Sequence, residues 1–240
     1  MGLRLEPSAA VREKRLERLL AEHGLRSDDA GLASIVEDAQ LVGSLDLSGF
    51  SVPWEDARAS RGADGGPPEL LGLRRALADV ASQEPVSAAA IYAWHAAIAG
   101  PVGLRRLDLD PGRPSDTGAP WPSAPAAFIA SRLEDLAEWL ATAGSRDLSP
   151  EQAAAVALAR IVEIRPFDDA NGRVSRLAAS HLMRRGGMRP PILVKGDGPR
   201  LRASLEAAFR LETEPLVAML VEASGRALDV MIQAVERKLI

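Results

Sequence analysis

Apolar residues recur at helical spacing along nearly the whole chain, and turn signals divide the pattern into segments. The first predicted helix covers 9–23. Val11, Leu16, Leu19 and Leu20 form its apolar side, Ser8 caps it and Gly24 ends it. His23 in the last turn complements the helix C-terminus as a cation. A second helix is expected after Ser27, over about 28–41. Residues 43–68 are rich in turn formers and predict a mobile loop, with a short helix near 54–59. Helices follow at 69–82 and 87–98, the second placing Trp94 and His95 in the core. Residues 100–125 are the least helical: 102–109 suit a short strand, and Asp110-Pro111-Gly112-Arg113-Pro114 is a turn signal. A helix is predicted over 123–143.

Ser149-Pro150-Glu151-Gln152 then supplies a cap, a proline at the first helical position and a capping-box glutamine. The helix beyond it is apolar almost all round and should be buried. The next helix runs from Asn171 to Arg185, where Gly186-Gly187 stops it. An extended piece at 190–194, a helix from Asp197 or Pro199 to about Arg210, and a last helix opened by Thr213-Glu214-Pro215 complete the pattern. A kink is expected at Gly225. The fold class is all-α. The turn-rich stretch separates N-terminal helices (1–66) from a helical core with C-terminal helices (67–240).

Composition narrows the function. Hydrophobic residues are 47% of the 240 and aromatics only 4%, a balance that favours helices over sheets. There is no cysteine, hence no disulfide or thiolate metal site, and a reducing, cytoplasmic location is expected. The net charge is −4 without a basic tail, so no nucleic-acid partner is expected. No apolar run reaches membrane-span length, and 1–17 alternates charges without the apolar core of a secretory signal.

The chemistry gathers between the two most strongly patterned helices, in Arg165-Pro166-Phe167-Asp168-Asp169-Ala170-Asn171-Gly172-Arg173-Val174-Ser175-Arg176. Pro166 disfavours helical geometry at Arg165, so the preceding helix should stop there. Asn171 can cap the next helix through its side-chain oxygen. Gly172 permits close backbone approach. Arg173 and Arg176, three residues apart, share a helix face. Free N–H groups at a helix start and arginine forks together suit phosphate. A neighbouring acid suits the magnesium that accompanies nucleotide phosphates.

This stretch resembles the signature loop of the Fic family, His-x-Phe-x-Asp/Glu-Gly-Asn-Gly-Arg-x-x-Arg. Phe167, Asp169, Asn171, Gly172, Arg173 and Arg176 match it, while Arg165 stands in place of the histidine and Ala170 in place of the first glycine. The resemblance implies a Fic-like helical bundle with a short β-hairpin flap, here at 102–122, that docks a protein target. It also implies ATP binding and AMPylation, the transfer of AMP to protein hydroxyls. By the same resemblance Asp169 holds Mg2+, Asn171 and Gly172 surround the phosphates, and Arg173 and Arg176 bind the outer ones. Phe167 anchors the loop. Many members carry an N-terminal inhibitory helix, and Glu37 would be its glutamate, paired with Arg176. A homodimer is a further implication, with no interface marked in the sequence.

Arg165 cannot repeat the histidine's part, because a guanidinium has a pKa above about 12 and no acceptor atom. General-base catalysis contributes ~10²–10⁴-fold. Asp168 is the nearest other base, with Glu163 and His181 behind it. Ala170 places a Cβ where the family has none and disfavours a positive φ. Three readings follow: a nucleotide- or phosphate-binding protein with weak or lost AMP transfer; a repurposed enzyme in which Arg165 stabilises developing negative charge; and a non-catalytic helical interaction domain with an ion-pair network.

Overall fold

The computed structural model describes residues 9–62, 65–80, 85–101, 103–109, 123–142 and 147–239. Among these the α-helices are α1 (Ala9–His23), α2 (Ala30–Leu47), α3 (Trp54–Ala59), α4 (Pro68–Val80), α5 (Ala88–Ala99), α6 (Ile129–Ala141), α7 (Pro150–Ile164), α8 (Asn171–Arg185), α9 (Gly198–Phe209) and α10 (Glu214–Glu236). Single 3₁₀ turns sit at Ala126–Phe128 and Lys195–Asp197.

The antiparallel pair α7 and α8 forms the spine. The capping box forms as expected: Gln152 N–H donates to Ser149 Oγ at 3.4 Å, and Ser149 N–H to Gln152 Oε1 at 2.9 Å. Both helices are buried on opposite faces because each lies between two cores. Ala157, Ile161 and Ile164 face a cluster built with α2, α4, α5 and α6. Ala154, Leu158 and Val162 face another built with α9 and α10. A third cluster packs α1 and α2 on α10 through Leu16, Leu32, Ile35 and Leu228.

Several expectations change. The second helix starts later and runs on to Leu47. Its cap is Asp29, whose carboxylate accepts from Gly31 N–H at 2.8 Å. Gly43 allows α2 to press on the 190–194 segment, since a Cβ there would stand 1.8 Å from the Leu193 carbonyl oxygen. Around the turn-rich stretch, buried Asp38 of α2 binds Arg61 and also Arg74 of α4, at 2.8 Å for the latter. α10 runs unbroken through Gly225, against which Arg12 lies.

No strand occurs among the described residues, so the expected strand at 102–109 does not form over 103–109. Arg105 turns that segment toward the body of the protein instead of toward a hairpin partner. The rest of the expected flap, 110–122, lies outside the described residues, as does Ser8. No helix of the described residues is long and apolar enough to cross a membrane.

Candidate functional site

α7 ends where Pro166 requires it. Arg165 takes a left-handed backbone (φ 47°, ψ 65°) and its N–H closes the helix on the Ile161 carbonyl at 3.0 Å. The last carbonyls of α7 would be left without donors, and buried Arg105 supplies them. Its Nε donates to the Arg165 carbonyl at 2.6 Å, Nη2 to Ile164 at 3.3 Å and to Ala124, and Nη1 to Leu107 at 2.8 Å. The Arg105 N–H also reaches the Pro166 carbonyl at 3.0 Å. A cation at a helix C-terminus is favourable. Burial lowers the Arg105 pKa, the nearby Arg165 charge lowers it further, and Asp108 and Asp168 oppose both.

The loop is pinned from within by Phe167 and Asn171. Phe167 N–H donates to Asn171 Oδ1 at 3.0 Å, and Asn171 Nδ2 donates to the Phe167 carbonyl at 2.9 Å. Asn171 therefore does not cap α8. It is the first residue of the helix, and its amide reads both backbone groups of Phe167. The N-cap is Ala170, which makes no side-chain cap bond. Ala170 is buried and left-handed (φ 62°), so the Cβ is carried in the conformation that glycine would adopt most cheaply.

Beneath the loop, the Phe167 ring stacks on His95 with centroids 3.7 Å apart and planes 12° from parallel, and Tyr92 meets it edge-on at 6.1 Å. The His95 pKa is lowered, chiefly by burial. A backbone hydrogen bond at Asp169 and the charges of Asp169 and Asp168 oppose this, while Arg173 adds to it.

The two signature arginines are buried and engaged. Arg173 Nη2 donates to Asp169 Oδ2 at 2.9 Å, and its guanidinium lies 5.1 Å from the Phe50 ring centroid. Arg176 Nε donates to Ser44 Oγ at 2.9 Å, and Nη2 donates to the Ser44 carbonyl and to Ser48 Oγ, each at 2.8 Å. The end of α2 and Phe50 thus cover the face on which both arginines stand. Arg165, Gly172, Arg173 and Arg176 come together around the start of α8. Asp168 and Asp169 are exposed at the rim.

Glu37 is not with them. Its Oε1 stands 3.9 Å from Nη1 of Arg184, toward the far end of α8, while Arg176 is held by Ser44 and Ser48. The cause is register: Glu37 lies two turns earlier on α2 than the serines. Glu163 pairs with Arg160. His181 is a core residue, its Nδ1 donating to the Val80 carbonyl at 2.8 Å and its ring beside Trp94.

Sequence reasoning missed Arg105, Ser44, Ser48 and Phe50. The four-residue spacing of Ser44 and Ser48 is a usable signal once α2 is extended beyond 41; for Arg105 no local signal exists. Among the described residues no three His, Asp or Glu side chains converge as a metal cage. Asp169 is a single exposed carboxylate. That suits a magnesium ion whose remaining ligands are phosphate oxygens and waters, not an all-protein site.

The Fic/DOC family model matches residues 81–183. Among curated relatives, the protein adenylyltransferase Fic of Drosophila willistoni is 33% identical over 108 residues, covering 45% of this chain and 21% of the relative. Protein adenylyltransferase fic-1 of Caenorhabditis elegans is 29% identical over 109 residues, 45% of this chain and 22% of the relative. The chain thus spans about a fifth of the length of these relatives. Among solved structures, C. elegans Fic-1 (residues 134–508) superposes with TM-score 0.73 at 22% identity, covering 96% of this chain and 74% of that one. A Fic-domain signalling protein of Bacteroides thetaiotaomicron gives 0.72 at 18%, covering 95% and 97%. Residues 81–183, which carry the 165–176 loop, are thus similar to the Fic/DOC family, and the helical fold is shared with Fic-domain structures along nearly the whole length.

Proposed function

We propose that this protein binds a nucleotide or another phosphorylated ligand, with magnesium, at the 165–176 loop, and that AMP transfer to protein hydroxyls by a histidine base is lost or weak. The carrying observation is the state of Arg173 and Arg176. They stand on one face at the start of α8, buried, and they hold oxygens: the Asp169 carboxylate, the Ser44 hydroxyl and carbonyl, the Ser48 hydroxyl. Those are the atoms that phosphate oxygens would replace. Asp169, released from Arg173, would hold the magnesium, and the first N–H groups of α8 would face the phosphates. The family likeness to protein adenylyltransferases makes ATP the first ligand to try and a protein, docked through 102–122, the expected target.

A second reading has its own support. Arg165 is buried beside Arg105, a fixed positive charge at the position of the family's base. A repurposed enzyme would use that charge to stabilise a developing anion, with Asp168 as the nearest exposed carboxylate. Any restraint that α2 exerts on phosphate placement would run through Ser44 and Ser48, because Glu37 stands against Arg184.

Two measurements test this. Thermal shift with ATP, with and without magnesium, should show a magnesium-dependent rise in Tm; no shift sinks the binding proposal. Labelling with ATP tagged at the α-phosphate should be absent or faint in the wild type and appear in Arg165→His. Strong wild-type labelling would establish an active transferase and overturn the assignment of lost transfer.

A further inference from the structure

We propose that Phe50 is a positioning residue for the phosphorylated ligand: its ring holds the Arg173 guanidinium by the face, so that the edge is left to phosphate. The inference rests on ligand binding at the 165–176 loop and names a residue outside that loop on which the binding depends.

Local sequence brings Phe50 to this place. Gly49 is left-handed (φ 86°), its N–H donates to the Asp46 carbonyl at 3.2 Å, and the Phe50 N–H donates to the Leu45 carbonyl at 3.0 Å. This pair of bonds is the Schellman closure of a helix, in which the residue after the glycine also makes an apolar contact with the last turns. Phe50 packs on the cluster that contains Leu45. The backbone and the ring are thereby placed, and Arg173 lies over the ring, 5.1 Å from its centroid. Packing alone does not account for an aromatic residue here. The cluster asks only for an apolar side chain, which leucine would supply, and Phe50 stays partly exposed. A ring adds a negative face, which attracts a cation most strongly where water is excluded, and the Arg173 side chain is only 5% exposed.

The two arginines of the loop are held in opposite ways. Arg176 gives its donors to Ser44 and Ser48, and a ligand must displace them. Arg173 is held on its face by Phe50, which takes up no N–H, and at its edge by Asp169 through Nη2. The Asp169 side chain is 66% exposed, so it is free to turn toward a magnesium ion, and Phe50 then keeps the guanidinium in place with its edge toward the phosphate. A side chain already held loses less freedom on binding. The end of α2 therefore acts on the ligand with both signs: Ser44 and Ser48 oppose binding and Phe50 supports it.

Calorimetric titration of the whole chain with magnesium-ATP compares side chains at position 50. Phe50→Leu keeps the apolar character, and Phe50→pentafluorophenylalanine keeps the shape but inverts the charge of the face. Each should weaken binding about three- to tenfold, while Phe50→Tyr should match the wild type. Equal or tighter binding in folded Phe50→Leu would overturn the proposal, because the ring would then be mere packing or a cover. A double-mutant cycle of Phe50→Leu with Arg173→Met in chemical denaturation needs no ligand, and its coupling should be at least about threefold in the unfolding equilibrium constant. Absence of coupling would also overturn the proposal. A coupled pair in a wild type that binds no magnesium-ATP would sink the phosphate-site reading itself, and the positioning role with it.

Discussion

Ser44 holds Arg176 at two atoms, its hydroxyl accepting from Nε at 2.9 Å and its carbonyl from Nη2 at 2.8 Å. The second signature arginine is therefore engaged by the end of α2, and a phosphate must compete with that engagement. Ser44→Ala removes one competing acceptor from Arg176, at a cost of about 1–3 kcal/mol to the ligand-free protein. Magnesium-ATP affinity should rise several-fold by calorimetry, and further in Ser44→Ala with Ser48→Ala. Ser44→Glu should lock Arg176 and weaken binding. Glu37→Gly should leave affinity unchanged, since Glu37 faces Arg184; a gain equal to that of the serine variants would contradict the geometry.

Ala170 holds a left-handed backbone at φ 62°. The strain of a Cβ in that region is about 1 kcal/mol and exceeds the entropy that glycine adds to the unfolded chain. Ala170→Gly should stabilise the protein slightly, raising Tm by roughly 1–2 °C for a chain of this size. Ala170→Val, β-branched at the same φ, should lower it by more. An unchanged Tm in both would mean that the loop relaxes freely.

Arg105 serves four carbonyls through its guanidinium, two of them at the end of α7. Arg105→Ala should cost more than about 3 kcal/mol in chemical denaturation, because several buried acceptors lose their donor together. Arg105→Lys keeps the charge but not the planar fork and should recover only part of the loss. If Arg105→Lys matches the wild type, charge at the helix terminus suffices and the individual bonds matter little.

His95 is held neutral by burial under the signature loop, with its pKa below the ordinary 6.5. The unfolded chain then binds the proton more readily than the folded one between those two values. This contribution to stability is complete above pH 6.5 and is lost as pH falls from there toward the lower folded value. Denaturation midpoints across that range should fall in the wild type, and less steeply in His95→Gln. Parallel curves for the two proteins would remove His95 from the account.

The amino-acid sequence alone determined the spine and the identity of the loop. A capping box at Ser149, a proline at 166, and a helix apolar almost all round between them are local signals, and each acts within a few residues. The matched residues from Phe167 to Arg176 are legible for the same reason. Tertiary structure decided what those residues touch. Arg105 meets Arg165 from 60 positions away and Ser44 meets Arg176 from 132. Glu37 misses Arg176 because the register of α2 on α8, set partly by the close approach of Gly43 to Leu193, aims it at Arg184. Asn171 binds Phe167 instead of capping α8 because Ala170 accepts the left-handed turn. Such pairings depend on how whole helices are docked, and no window of local sequence records that docking.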